Sequence, residues 1–537
     1  MEFDPSQRPR LAMKPLGGAE IGRCLTRIHH DRFTPVPPPG GVDEVRARAL
    51  TLGLAFEDDI VSLVMAATPG AVRIEGFGSD AVGDTLRALS AGPPLIVGGR
   101  LASADGSRVG APDLLVRLSS GYAPIEIKRH RVRLDKGIPA ATSDVTTLTT
   151  IDDIGVRFRS RRRRDLLQAE HYRRLLAEVG YASDEPLLGV IGNDEPLACT
   201  WVDATQGENS ISSDYDAFVV RAEDTVAHGI THPDTPLEGA WLRGECSRCD
   251  WHDHCLADLE RRDDVTVLRD VDAGVRSLLA AGGVRTVADV AALDPSDERL
   301  PAGTTVLQAR ARRAGGLLRA DTGPAPMDLP GAEIEVDLDI ETTDGRTYLA
   351  GLLITTGGVS RYEPIAEWSD TPAGKGRVLR ALFDQLASWS RVGAIVYHWT
   401  DYERRMLGNA AAEHGGSIEG FESVDDWFDA HAVDLCAWSR DHLVSPDGYS
   451  LKIIAPLCGF AWRDDDPGGL QSEIWFERLL AGEESMRDRL LTYNEDDVVA
   501  QLAVRHWVRS HDTGAGPGSS IPSALRWPLE EPVPRVT

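Results

Sequence analysis

Short apolar runs set off by polar turns dominate the first half of the chain. PLIVGG (94–99), DLLVRL (113–118), APIEIK (123–128) and PLLGVIG (186–192) have strand length, and helical stretches lie between them. The mixture predicts an α/β unit from roughly residue 20 to 260. Within it, GIPAATSDVTTLTTIDDIGV (137–156) is rich in Thr, Ser and Asp and reads as a long loop. From 265 to 315 the pattern becomes Ala- and Val-rich with helical periodicity. DAGVRSLLAAGG breaks at Gly282-Gly283, and TVADVAALD restarts with Thr286 as its expected N-cap. Two short helices about a glycine turn have the outline of a helix-hairpin-helix, and equally that of a plain helical connector. ADTGPAPMDLPG (320–331) reads as a linker. Beyond it, EIEVDLDIETTDG alternates strictly: Ile334, Val336, Leu338 and Ile340 occupy one face, Glu335, Asp337, Asp339 and Glu341 the other. This strand opens a second α/β unit, and the Gly/Pro-rich end from Asp512 reads as a flexible tail.

At 537 residues the chain is long enough for several domains, and its 42% hydrophobic and 26% charged content is that of a globular protein. The expected organisation is an α/β multidomain protein with a first domain over 1–260, a helical connector over 261–318, a linker over 319–331, a second domain over 332–511 and a tail over 512–537. No run of about 18 apolar residues is present, and the first residues lack an apolar signal core, so a soluble cytoplasmic protein with no membrane partner is expected. The net charge of −27 disfavours a uniformly phosphate-binding surface. Positive charge is nevertheless concentrated in Lys128-Arg129-His130-Arg131-Val132-Arg133 and in RFRSRRRR (157–164). Such runs are ordinarily solvated faces. They gain meaning beside chemistry, because an acidic enzyme with focused basic patches can grip a polyanion locally.

Chemistry is suggested at Asp113, Glu126 and Lys128. In IEIK, Glu126 and Lys128 are two apart on a strand and share a face. A hairpin through SSGYAP would bring Asp113 beside Glu126. Two carboxylates can hold Mg²⁺ or Mn²⁺ while a lysine offsets charge on an attacked phosphate. The same E-x-K pattern also occurs as a surface salt bridge. Gln168 and Tyr172, four apart, share one face of a following helix. Pro112-Asp113, Glu126-Ile-Lys128 and QAEHY (168–172) together resemble the PD-(D/E)XK nuclease superfamily in its RecB-like branch, which implies a restriction-endonuclease-like fold. The resemblance extends to GLAFED (53–58), where Glu57 stands at the place of an upstream histidine.

Three of the seven cysteines fall in GECSRCDWHDHC, a clustering that asks for a metal. Cys24 with Cys246-x2-Cys249-x5-Cys255 resembles the layout of RecB-like nucleases of the AddB and CRISPR-adaptation type, which implies a 4Fe-4S cluster closing the two ends of the domain. Zinc is the alternative, with His252 or His254 completing a local site without Cys24. Cys199, Cys436 and Cys458 read as small apolar core residues.

In the second α/β unit the carboxylate face of 335–341 must be solvated, as on an edge strand, or balanced by cations. VGAIVYHWTDYERRML follows with the acids Asp401 and Glu403, and TYNEDDVVAQLAVRHW reads as a helix with Tyr493 and Asp497 one turn apart. An acidic strand, an acidic turn and a Y-x-x-x-D helix in that order resemble the DEDD exonucleases of the RNase H-like fold. Asp339 and Glu341 match the D-x-E strand motif, and Tyr493 with Asp497 the tyrosine form of the last motif. Glu403 aligns best as the middle acid, with Asp401 as rival; Glu for Asp and His398 for Asn depart from the pattern. The stretch from Glu335 to about Trp507 is similar to the YprB-type exonuclease domain.

The two resemblances imply a metal-dependent DNA nuclease of repair or recombination, with Asp113 and Glu126 in one site and Asp339, Glu341, Glu403 and Asp497 in the other as ligands of Mg²⁺ or Mn²⁺. In the second site they imply a two-metal cage, with Tyr493 orienting the attacking water. Two other readings stand beside this one: a single catalytic domain with the other a nucleic-acid-binding remnant, or a zinc-stapled scaffold without activity. A Walker-type phosphate loop is absent from the sequence, so any unwinding falls to a separate helicase.

Overall fold

The computed structural model describes residues 14–34, 44–207, 210–300, 304–320, 327–343, 346–369, 371–414, 416–464 and 468–511. The expected flexible tail over 512–537 and residues 321–326 of the linker lie outside them. The chain divides into two compact units, Met1–Ala240 and Trp241–Thr537. The break falls ahead of the boundary expected at 260, so the segment holding Cys246, Cys249 and Cys255 groups with the second unit. No helix among the described residues is long and apolar enough to cross a membrane.

In the first unit, helices α1 (Leu25–Phe33), α2 (Glu44–Ala67), α3 (Gly78–Ala91), α4 (Arg163–Glu178) and α5 (Ile211–Thr231) accompany a seven-stranded sheet. Its strands in chain order are β1 (Val72–Arg73), β2 (Leu95–Val97), β3 (Leu114–Arg117), β4 (Tyr122–Lys128), β5 (Ala141–Asp144), β6 (Leu187–Gly192) and β7 (Ala198–Asp203), arranged β5-β7-β6-β4-β3-β2-β1. The central strand β4 is buried from Tyr122 to Ile127, as its apolar run requires. Ile60, Val61 and Val64 of α2 pack on one side with Ile125, Ile127 and Ile191. Leu166 and Leu167 of α4 pack with Leu188, Val190 and Val202.

The expected loop over 137–156 is corrected in part. Residues 141–144 form β5 at the sheet edge, pairing antiparallel with β7. Thr142 and Ser143 are buried there, and Trp201 Nε1 donates to Ser143 Oγ at 2.8 Å. The polar composition hid a strand whose Ser143 hydroxyl finds its partner inside the sheet.

The second unit begins with α6 (His252–Arg261), α7 (Ala273–Ala281), α8 (Val287–Ala291) and α9 (Thr304–Ala314). Gly283 takes a left-handed φ of +79° between α7 and α8. Thr286 caps α8, accepting from the Asp289 amide at 3.0 Å. A five-stranded sheet follows, made of β8 (Ile334–Thr343), β9 (Arg346–Thr356), β10 (Val359–Ala366), β11 (Ile395–His398) and β12 (Ala432–Asp434), in the order β10-β9-β8-β11-β12. Neighbours are antiparallel across β10, β9 and β8 and parallel across β8, β11 and β12.

The helices of this sheet are α10 (Pro372–Val392), α11 (Tyr402–His414), α12 (Val424–His431), α13 (Leu435–His442), α14 (Leu451–Leu457), α15 (Gly469–Leu480) and α16 (Ser485–His511). Val336, Leu338 and Ile340 on the apolar face of β8 pack with Leu382, Phe383 and Leu386 of α10 and with Trp427 of α12. The acidic face of the same strand meets α16. The solvated edge-strand reading of 335–341 is therefore corrected: β8 is central, with a neighbour on each side.

Candidate active sites

Strand β8 carries its four acids past α16 in two halves that are treated differently. Asp337 is fully buried and receives Arg505 through Nε (2.8 Å) and Nη2 (2.5 Å). Glu335 receives Arg505 Nη1 (2.5 Å) and both amino nitrogens of Arg509 (2.6 and 2.9 Å). Burial alone would raise Glu335, but the two guanidinium groups hold it at about 2. This half of the acidic face is neutralised by the protein itself.

The other half is not. One ligand oxygen each from Asp339, Glu341 and Asp497 can be chosen within 4.8 Å of one another. Burial and the surrounding carboxylates Glu341, Asp497 and Glu403 push Asp339 well above the usual carboxylate range. Glu341 is pushed up to about 7, by burial first and then by Asp497. The single cation in hydrogen-bond contact with the trio among the described residues is Lys452, whose ammonium donates to Asp497 Oδ1. Trp462 Nε1 donates to the same oxygen at 2.6 Å. Ser472 Oγ donates to Glu341 Oε2 at 2.5 Å, and Asn494 Nδ2 donates to Asp339 Oδ2 at 2.7 Å. Asn494 is fixed in turn by the Tyr362 hydroxyl, 2.8 Å from its Oδ1. It fits because residue 351, opposite Asp339 on β9, is glycine; a Cβ there would stand 1.8 Å from Asn494 Oδ1.

The middle motif sits in the turn between β11 and α11. Thr400 adopts a left-handed φ of +73°, and Asp434 Oδ1 accepts from its amide at 3.1 Å. Glu403 is 2% exposed and its Oε2 has no hydrogen-bond partner, although His398 Nδ1 lies 3.5 Å away. That nitrogen is engaged instead by the Thr400 carbonyl at 2.6 Å. Asp401 is exposed and lines a separate cleft with Arg404, Arg405 and Asp425. Tyr493 is buried; its phenol is pushed up by burial and by Asp497, Glu341 and Asp339, which keeps it un-ionised.

A donor set of hard, mutually repelling oxygens, with the buried Glu403 Oε2 lacking a hydrogen-bond partner nearby, suits a Mg²⁺- or Mn²⁺-sized ion. Lys452, Trp462, Ser472 and Asn494 were not foreseen. A lysine inside the apolar run LKIIAPL was a usable signal; the other three carry none that spacing could expose.

In the first unit, the β3–β4 register, with Leu114 opposite Ile125, carried one residue further brings Asp113 beside Glu126. Asp113 Oδ2 accepts from the Ile127 amide at 2.7 Å. Glu126 is 1% exposed; its Oε2 accepts from the Lys128 ammonium, and its Oε1 has no hydrogen-bond partner. Burial, reinforced by Asp113, pushes Glu126 up to about 8. Burial acts to lower the Lys128 ammonium, but Glu126 and Asp113 outweigh it and hold it above its usual value. Glu57, on α2, is raised by burial and by the charge of Asp113, and lowered by that of Lys128. On α4, Gln168 Nε2 donates to the Tyr172 hydroxyl at 2.8 Å, and the Tyr172 phenol is pushed well up by burial and the charge of Glu126. Tyr172 lies against Gly18 and Gly110, where a Cβ would approach it to 2.5 and 2.6 Å. Glu57, Asp113, Glu126, Lys128 and Tyr172 thus share one electrostatic neighbourhood. The basic stretch continues directly from β4, with Arg133 and Leu134 paired antiparallel to Phe158 and Arg157.

Cys246 lies in a single 3-10 turn, Cys249 follows that turn and Cys255 is in α6. Cys246 Sγ accepts from the Arg243 amide at 3.4 Å and donates to the Trp241 carbonyl at 3.9 Å. Cys24 precedes α1 in the first unit. Cys199 and Cys436 are buried, and burial pushes the Cys458 thiol up to about 12.

Comparison with curated proteins and with solved structures returns no match. Residues 336–509, from the acidic strand to the end of the helix that covers it, match the family model of the RNase_H superfamily. The chain is thus a mixed α/β multidomain protein with an RNase H-like domain, a kinship that points to nuclease-type hydrolysis of phosphodiester bonds.

Proposed function

We propose that the RNase H-like domain is a DEDD-type exonuclease acting on DNA in repair or recombination, with Asp339, Glu341 and Asp497 as ligands of Mg²⁺ or Mn²⁺ and Glu403 as the middle acid. The carrying observation is the divided face of β8: arginines neutralise Glu335 and Asp337, whereas Asp339 and Glu341 face Asp497 with one lysine among them. A face built this way is costly to keep empty of cations. A bound divalent ion would activate water and offset charge on the scissile phosphate. Hydrolysis forms a bond from the water oxygen to phosphorus as the bond to the leaving deoxyribose oxygen breaks, with one water proton released and one proton ending on the leaving oxygen. Tyr493, held un-ionised, can hydrogen-bond and orient that water but not deprotonate it. The burial of Glu403 and its charge on Asp339, against the exposure of Asp401, favour Glu403.

The first unit is proposed as a RecB-like PD-(D/E)XK nuclease. Asp113 and Glu126 would hold the metal with Glu57 beside them, Lys128 would meet phosphate charge, and Gln168 and Tyr172 would line the site. The buried Glu126 Oε1, which lacks a well-aligned donor, and the arginine-bearing strand pair that follows β4 in the chain support this reading. Cys24, Cys246, Cys249 and Cys255 are proposed as thiolate ligands of a 4Fe-4S cluster, zinc being the alternative. A cytoplasmic setting and a separate helicase partner belong to the same reading.

The test is cleavage of end-labelled single- and double-stranded DNA and RNA by the full chain with Mn²⁺ or Mg²⁺. Asp339→Asn should abolish stepwise removal from ends; Asp113→Asn with Glu126→Gln should abolish the activity of the first unit. An active parent whose cleavage survives all three substitutions together refutes both assignments, and loss through one set alone identifies the single catalytic domain.

A further inference from the structure

The three carboxylates of the RNase H-like site each have one oxygen engaged by the protein. Asp339 Oδ2 accepts from Asn494, Glu341 Oε2 from Ser472, and Asp497 Oδ1 from both Trp462 and Lys452. Asp339 Oδ1, Glu341 Oε1 and Asp497 Oδ2 remain, one oxygen from each residue. None of them has a well-aligned donor among the described residues, although Asn494 and the Tyr493 hydroxyl also approach Glu341 and Asp497. Three single oxygens with water in the remaining positions form a ligand set for one hard divalent ion. A second ion a few ångströms away would have to share these same oxygens or compete with the hydrogen bonds that Asn494, Ser472, Trp462 and Lys452 make to the others. Glu403 stands outside the group whose ligand atoms fall within 4.8 Å, and its nearest basic neighbour is His398 at 3.5 Å.

Lys452 is more than a passing contact. Its ammonium sits 4.2 Å from the centre of the Trp462 ring and 4.5 Å from that of Tyr493, between two aromatic faces and Asp497. Its neighbours on α14, Leu451 and Ile454, are buried and fix the start of that helix. Trp462 holds both the lysine, by its ring face, and Asp497, by its N–H, so the ammonium and the carboxylate are positioned together.

We propose that Lys452 is the second cation of this site: the oxygens of Asp339, Glu341 and Asp497 take one divalent ion, and the Lys452 ammonium supplies the other positive charge facing the substrate phosphate. Three negative charges are then balanced by one divalent ion and one ammonium. The proposal rests on the metal-dependent nuclease reading and departs from the two-metal cage expected by resemblance.

The test counts Mn²⁺ by electron paramagnetic resonance in the full chain carrying Asp113→Asn and Glu126→Gln. The count for the site is the number of ions lost when Asp339→Asn and Asp497→Asn are added. One ion is expected. Lys452→Met should admit a second ion, or keep one ion with cleavage down at least tenfold, and Lys452→Arg should restore the single-ion state. Two ions with Lys452 intact overturn the proposal, as does a folded Lys452→Met protein that binds one ion and cuts at the parental rate. No ion at the site overturns the metal-dependent reading itself, and this proposal with it.

Discussion

Replacing Arg505 by Met should separate the neutralised half of the acidic face from the rest of the domain. Arg505 is fully buried, gives two hydrogen bonds to Asp337 and one to Glu335, and stacks 4.1 Å from the centre of the Tyr397 ring. Without it Glu335 keeps Arg509 and the Tyr397 hydroxyl at 3.1 Å. Asp337 keeps no side-chain donor among the described residues. The cost therefore falls on one buried, unpaired carboxylate, about 3–5 kcal/mol. For a unit of this size that lowers its melting temperature by on the order of 10 °C. Urea denaturation of the parent, of Arg505→Met and of Arg505→Met/Asp337→Leu measures it. The double variant removes both charges and fills the space with apolar atoms, so it should return to within about 1 kcal/mol of the parent. A loss below about 1 kcal/mol in the single variant, or a double variant as unstable as the single, refutes the account.

Gly351→Ala should lower Mn²⁺ affinity about tenfold, because the new methyl displaces Asn494 from Asp339 and removes a charge-assisted hydrogen bond; calorimetric titration reads it, and unchanged affinity refutes it. Glu341→Gln should stabilise the metal-free protein at pH 8 by about 3 kcal/mol, the equivalent of raising a carboxyl from 4.5 to about 7. The folded chain holds that proton more tightly than the unfolded one, so the effect should fade as pH falls through 7 and vanish below 4.5; equal stabilisation at pH 4 and pH 8 refutes it. Cys24→Ala should abolish brown colour and iron in anaerobically purified protein, and stoichiometric zinc unaffected by the substitution would refute the cluster.

The backbone of the candidate sites was largely legible, because strict alternation over 334–341 and i,i+4 spacing at Tyr493 and Asp497 are local signals. The hairpin that brings Asp113 beside Glu126 was legible for the same reason: a glycine-bearing turn between two short apolar runs. The cations of the RNase H-like domain were not. Arg505 meets Asp337 across 168 residues of sequence, and nothing local distinguishes it from a solvated helix arginine. The edge-strand alternative for β8 failed because exposure depends on neighbours, here β9 and β11, that alternation does not specify. Residues 141–144 read as loop because Thr and Ser signal turns by composition, whereas the Ser143 hydroxyl is satisfied by Trp201 inside a sheet.

Helix α16 runs antiparallel to β8, and the two share a ruler. Asn494 meets Asp339, Gln501 meets the Leu338 carbonyl, Arg505 meets Asp337 and Arg509 meets Glu335. From Glu335–Arg509 to Asp337–Arg505 two strand residues advance about 6.6 Å and four helical residues about 6 Å, so the two ion pairs stay in step, and the same helix carries on to Asn494 and Asp497. A single deletion between Asp497 and Arg505 would rotate one set by about 100° relative to the other. Either Asp497 would leave its trio or Asp337 would lose its arginine. The buried ion pairs thus act as a registration mark: a shift of the helix that spoils the reactive end also unfavourably exposes the inert end. Variants of this domain that lose catalytic alignment by such a shift should be selected against first as poorly folded proteins, before any defect in chemistry is felt.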